Sequence, residues 1–174
     1  NTHDYEGFTP LMYAAQKDHS PPKLFRLLIE GGADVNASEP RFNIVPILIA
    51  PRYIHNLEVF VILINAGANV NASMKSFGLT PLMTASSYTS ESSLIELLLQ
   101  NGATLHAKDD EGKTALHMAA AMNPNEEILI KLLEAGANAK LTDKFSMTAY
   151  GWALFTGNLR GTPAIKMLLE YTNE

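Results

Sequence analysis

The sequence predicts an all-α solenoid of paired antiparallel helices with hairpin-like finger turns, about five repeats forming a single domain over residues 1–174. Three observations predict it. A closing marker recurs as Gly32-Ala33-Asp34-Val35-Asn36-Ala37, Gly67-Ala68-Asn69-Val70-Asn71-Ala72, Gly102-Ala103-Thr104-Leu105-His106-Ala107 and Gly136-Ala137-Asn138-Ala139-Lys140-Leu141, at spacings of 35, 35 and 34 residues. An opening marker keeps the same rhythm as Thr9-Pro10-Leu11, Val45-Pro46-Ile47, Thr80-Pro81-Leu82, Thr114-Ala115-Leu116 and Thr148-Ala149-Tyr150, at spacings of 36, 35, 34 and 34. Between the markers the apolar period is helical rather than strand-like, with two short patterns per unit such as 11–15 and 24–29. A fixed period of this length is the signature of stacked supersecondary units.

Taken in order, the repeats read 4–38, 39–73, 74–107, 108–141 and 142–174. In three of them Ser20-Pro21, Asn123-Pro124 and Thr162-Pro163 place a capping side chain before a proline, the pattern of a second helix beginning. Gly32, Gly67, Gly102 and Gly136 stop that helix. The second repeat departs most, because Val45 stands in place of Thr and Pro51 falls late in the first helix. A proline there removes a hydrogen bond, so the helix should end or kink. The fifth repeat, from Met147, lacks the closing Gly-Ala element, as a terminal cap does. One unit cannot bury its own apolar face, so Leu28, Leu63, Leu98 and Leu132 are expected to form one continuous buried row. Ala14, Ala15, Ala85, Ala119 and Ala120 should let the first helices approach closely.

The run Thr114-Ala115-Leu116-His117-Met118-Ala119 resembles the Thr-Pro-Leu-His-x-Ala signature of the ankyrin repeat, and the resemblance extends over essentially the whole chain. Two departures stand out: each unit exceeds the family's usual length, and the turn between helices lacks Gly-x-His, so long turns are expected. The resemblance implies that partners dock in a concave groove lined by the finger turns and the exposed side of the first helices. It also implies that His117 hydrogen-bonds between neighbouring turns.

Placed on that groove, the row two steps beyond the alanines reads Lys17, Tyr53, Tyr88, Met122 and Thr156, with Phe155 beside the last. The finger tips read Glu6, Phe42, Phe77, Glu111 and Phe145, and the residues just before the Thr position read Phe8, Ile44, Leu79, Lys113 and Met147. An exposed apolar ladder marks an interaction site better than scattered apolar residues do. Aromatic residues also dominate binding hot spots, which makes Phe42, Tyr53, Phe77, Tyr88 and Phe145 candidate anchors. A second reading stays open, in which the phenylalanines fold over neighbouring turns and the tyrosines lie flat as partial core. Arg41 and Arg52 in the second repeat, against Asp109, Asp110 and Glu111 in the fourth, would orient a partner of opposite polarity. Such a charge run also serves as a solvated turn.

Other chemistry finds no sequence support. A net charge of -5 argues against phosphate-backbone binding and a membrane surface alike. The apolar run at 59–64 is far short of the ~20 residues that cross a bilayer. With no cysteine there is no disulfide, thiol nucleophile or thiolate metal site. His3, His19, His55, His106 and His117 show no ligand spacing, and phosphate-loop, dinucleotide and serine-hydrolase motifs are missing. His106 and the helix-starting Glu126 and Glu127 read as structural. Asn36-Ala37-Ser38 and Asn71-Ala72-Ser73 match the glycosylation triplet but fall where an asparagine ties down the turn. The ankyrin resemblance adds that such asparagines, eight residues after Leu28 and Leu63, are hydroxylated in some animal proteins. These readings converge on a non-enzymatic, cofactor-free, monomeric module that binds an unknown protein partner. A recognition domain cut from a larger enzyme or secreted effector, and a self-associating array, are the alternatives. Compartment stays open, with the cytoplasm slightly favoured and a trimmed secreted form compatible with a chain beginning at Asn1.

Overall fold

The computed structural model describes residues 2–173, and within it every opening marker starts a helix. The first repeat holds α1 (Pro10–Gln16) and α2 (Pro22–Glu30), and the second α3 (Pro46–Ile49) and α4 (Leu57–Asn65). Next come α5 (Pro81–Tyr88) and α6 (Ser92–Gln100), then α7 (Ala115–Met122) and α8 (Glu126–Glu134), and finally α9 (Ala149–Thr156) and α10 (Pro163–Asn173). Among the described residues strand structure is confined to isolated antiparallel bridges, Glu39 with Ile44 and Thr142 with Thr148, which pinch two of the finger turns.

The opening marker works because a β-region Thr can fold its hydroxyl back onto the first turn. Thr9, Thr80 and Thr148 accept from the amides of Met12, Met83 and Gly151 at 3.3, 3.4 and 3.1 Å. Val45 has no such oxygen, and Pro51 follows. Accordingly α3 lasts four residues before tightening into a 3₁₀ turn over Ala50–Arg52. The closing glycines Gly32, Gly67, Gly102 and Gly136 all have φ between 85° and 88°, one residue past the helix cap.

Two expectations need correction. Of the Ser/Asn/Thr-Pro pairs only Thr162-Pro163 stands at the start of a second helix, α10 beginning at Pro163 as expected, and the other two fall short of theirs. Pro21 itself occupies the cap position of α2, Asn125 caps α8 by accepting from Glu127, and the Thr162 hydroxyl donates backwards to the Leu159 carbonyl. Asn123 instead is buried and ties repeats together, its amide donating to the carbonyls of Ser86 and Thr89 at 3.0 and 2.9 Å. The leucine row is continuous from Leu63 through Leu98 to Leu132, all fully buried, but Leu28, in the first layer of the structure, is only half-buried. Phe25 fills the first repeat's core in its place. The alanines Ala14, Ala15, Ala85, Ala119 and Ala120 are buried between the first helices as expected.

Fingers are joined edge to edge by backbone hydrogen bonds. Lys75, Asp110 and Lys144 donate to the carbonyls of Phe42, Phe77 and Glu111 at 2.8, 3.0 and 2.8 Å. Below them runs a ladder of amides: Asn36 accepts from Asn69 and donates to the Gly67 carbonyl, and Asn71 repeats both bonds with Thr104 and Gly102. His106 takes the same station in the third repeat, accepting from the Asn138 amide at 3.1 Å. The close finger contact leaves no room at Gly78, whose φ is +68° and whose added Cβ would lie 2.9 Å from the Asp110 amide nitrogen. Gly78→Ala is therefore expected to destabilise by about 1–3 kcal/mol, read as a lower urea midpoint. An unchanged midpoint would show that the third and fourth fingers separate without cost.

Candidate functional site

The groove face is built by the fingers on one side and the first helices on the other. Between the second and third repeats it deepens into a cavity of about 330 Å³. Ile44, Met74 and Leu79 line it from the fingers, and Leu48, Ile49, Arg52, Tyr53, Thr84, Ser87, Tyr88, Met118 and Met122 from the helices, with Gln16 at the edge. Six of the residues singled out from sequence thus meet in one place: Ile44, Arg52, Tyr53, Leu79, Tyr88 and Met122. Tyr88 and Met122 are 39% and 45% exposed, whereas Tyr53 is half-buried rather than solvent-facing. Ile44 and Leu79 are likewise half-buried, so they form the wall of the cavity and not a projecting ladder.

Two departures from the repeat make this cavity. A carboxylate sits at the base of four fingers, at Asp4, Glu39, Asp109 and Asp143, where it accepts from amides two to four residues on. In the third finger Met74 holds that position, and it lines the cavity. The second departure is Pro51, whose 3₁₀ turn carries Arg52. The Arg52 guanidinium lies 5.0 Å from the Tyr88 ring centroid and 5.8 Å from that of Tyr53. This is stacking distance for a cation on an aromatic face.

The remaining expected residues fall outside the cavity. Phe42 is half-buried, its ring 6.3 Å from that of Phe77 and under the Arg41 guanidinium at 5.3 Å. Here the phenylalanines do fold against a neighbouring finger, although Phe77 keeps half its surface in solvent. Arg41 and Phe42 belong to a separate open recess beside Phe8 and Glu39. At the far end Phe145 and Trp152 flank the Lys113 ammonium, which also pairs with Glu111 at 2.7 Å. Phe155 on α9 is 77% exposed and lies edge-on to Trp152. Of the acidic finger, Asp109 is committed to its turn and Glu111 to Lys113. Asp110 is exposed, and among the described residues no ion pair holds it.

What sequence reading missed was the second row of the groove. Ile49, Thr84 and Met118 stand four residues before Tyr53, Tyr88 and Met122, one helical turn away on the same face. That spacing is the signal that finds them. Among the described residues no group of three or more His, Asp or Glu side chains could hold a metal ion. Likewise no helix is long and apolar enough to cross a membrane.

Comparison with known families agrees with this geometry. A model of ankyrin repeats in three copies matches residues 47–143, and a single ankyrin-repeat model matches residues 6–39. No curated protein matches the chain.

Proposed function

The chain belongs to the ankyrin-repeat family, whose members generally serve protein–protein interaction, and from that premise we propose that its concave groove docks a protein or peptide partner without catalysis. The observation that carries this reading is the apolar cavity between the second and third repeats, open to the groove and edged by the exposed Tyr88 and Met122. Its wall is half-buried aliphatic and aromatic surface held by both fingers and helices, packed in place before a partner covers it, so little conformational freedom remains to be lost. Flanking fingers add exposed Phe77 and Phe145. Arg41 and Phe42 in the second finger, Asp110 and Glu111 in the fourth, and Phe155 on α9 extend the proposed contact surface beyond the cavity, as polar and aromatic surroundings of a central anchor do in binding hot spots.

Tyr88→Ala combined with Met122→Ala is expected to abolish retention of a partner from host lysate while the helical circular dichroism signal stays intact. Tyr53 is a poorer probe, because truncating a half-buried ring also disturbs packing. A partner held equally by the unmodified chain and the folded double variant would place docking elsewhere and defeat the groove reading.

A further inference from the structure

Building on that groove reading, we propose that the occupant is a peptide segment carrying an apolar anchor next to a carboxylate, the anchor entering the cavity and the carboxylate closing on Arg52. The cavity contributes one charged group, and it is the Arg52 guanidinium; no carboxylate lines it. Among the described residues Arg52 makes no ion pair, and its side chain is exposed. Neither condition holds for Lys113, the cation at the other end of the groove, which Glu111 already neutralises at 2.7 Å.

Stacking decides what Arg52 offers. The guanidinium carbon sits 5.0 Å from the Tyr88 ring centroid and 5.8 Å from that of Tyr53, and among the described residues no hydrogen bond or ion pair occupies its N–H edge. That edge is a rigid fork matched to a carboxylate, and little rotamer freedom is left to lose when two parallel hydrogen bonds form. A neutral amide could take one such bond, and a cationic side chain would be repelled. Because the whole chain is negative, at -5, long-range attraction of an acidic segment is absent and the selectivity is local. The apolar component follows from Leu48, Ile49 and Leu79 together with Met74 and Met118, whose flexible thioethers adapt to leucine, methionine or phenylalanine. Polarity along the groove agrees: Arg41 and Arg52 lie in the second repeat and the exposed Asp110 in the fourth, so the acidic end of the peptide lies toward the second repeat.

A displayed library of short random peptides, selected on the immobilised chain, tests this directly. Enriched peptides should carry Asp or Glu within a few residues of a large apolar side chain. Synthetic versions should bind Arg52→Gln about tenfold or more weakly, with part of the loss recovered in Arg52→Lys. Arg52→Glu should regain binding to a peptide whose acid is replaced by lysine. Enriched peptides that lack an acid, or ignore Arg52→Gln yet fail on Tyr88→Ala, would overturn the acidic anchor and leave the groove standing. Peptides indifferent to both substitutions, or no enrichment at all, would overturn the groove reading and this inference with it.

Discussion

Leu98→Ala is expected to lower the free energy of unfolding by about 2–5 kcal/mol, the cost of deleting a buried leucine and leaving its space. Leu98 is fully buried on α6, the middle second helix, which packs against α4 on one side and α8 on the other. Leu63 and Leu132 occupy the same station in those neighbours. Alanine is the better helix former, so local propensity cannot account for a loss. The Leu98 carbonyl still accepts from Ala103 at 3.0 Å after truncation, because that bond is backbone. The effect thus isolates packing between layers. In a solenoid each unit touches only its neighbours, so a central truncation weakens two interfaces and a terminal one weakens one. Leu28→Ala, half-buried in the first layer, should therefore cost distinctly less. Urea denaturation with unchanged slope measures both. Equal losses would contradict a core assembled layer by layer.

The contrast between these two leucines shows how far the sequence reaches. Period and helix type were legible because Thr-Pro-Leu and Gly-Ala markers constrain local backbone, through a hydroxyl cap and a left-handed glycine, whatever the surroundings. Burial of Leu63, Leu98 and Leu132 was legible for the same reason. That Leu28 is an edge residue was not, since the same leucine is core or edge according to whether a layer covers it. Likewise Pro51 announced a broken helix in the second repeat, but not that the 3₁₀ turn would lay Arg52 against Tyr88 across the repeat boundary.

The candidate site divides along the same line. Five of its residues were found by asking which positions repeat on the groove face, and Arg52 by its charge. Met74 escaped, because it shows itself only as the missing carboxylate in the series Asp4, Glu39, Asp109, Asp143. The acidic finger divides for a related reason. Sequence records three charges at 109–111, while the structure spends Asp109 on amides and Glu111 on Lys113. Charge partners lie at distances a sequence does not encode.

His117→Ala is expected to cost about 2–4 kcal/mol, combining a truncated buried side chain with backbone groups left unpaired. Its Nδ1 accepts from the Thr114 amide at 3.2 Å and lies 2.9 Å from the Thr114 hydroxyl, while Nε2 donates to the Met147 carbonyl at 3.2 Å. One neutral tautomer satisfies all three, and it joins the start of α7 to the last finger. Burial lowers the His117 pKa, outweighing the Met147 carbonyl and the Asp143 charge that favour the cation. An unfolded histidine titrates near about 6.5, so between that value and the lower folded one the unfolded chain binds more protons. Stability from this ring is therefore complete above the unfolded pKa and drains away as pH falls toward the folded one. Asp143 acts lower on the scale: burial pushes its carboxyl up, but bonds from the Met147 amide, Trp152 and Phe145, together with His117, prevail and hold it below the ordinary carboxylate value. Its share is present above that ordinary value and is lost on further acidification. Thermal unfolding followed from neutral pH to about pH 5, a window in which histidine protonation dominates, separates the two. The unmodified chain should lose more of its melting temperature over this range than His117→Ala does. Parallel curves would show that folding leaves the ring's proton affinity unchanged, and would overturn the reading of His117 as a buried neutral link to the last finger.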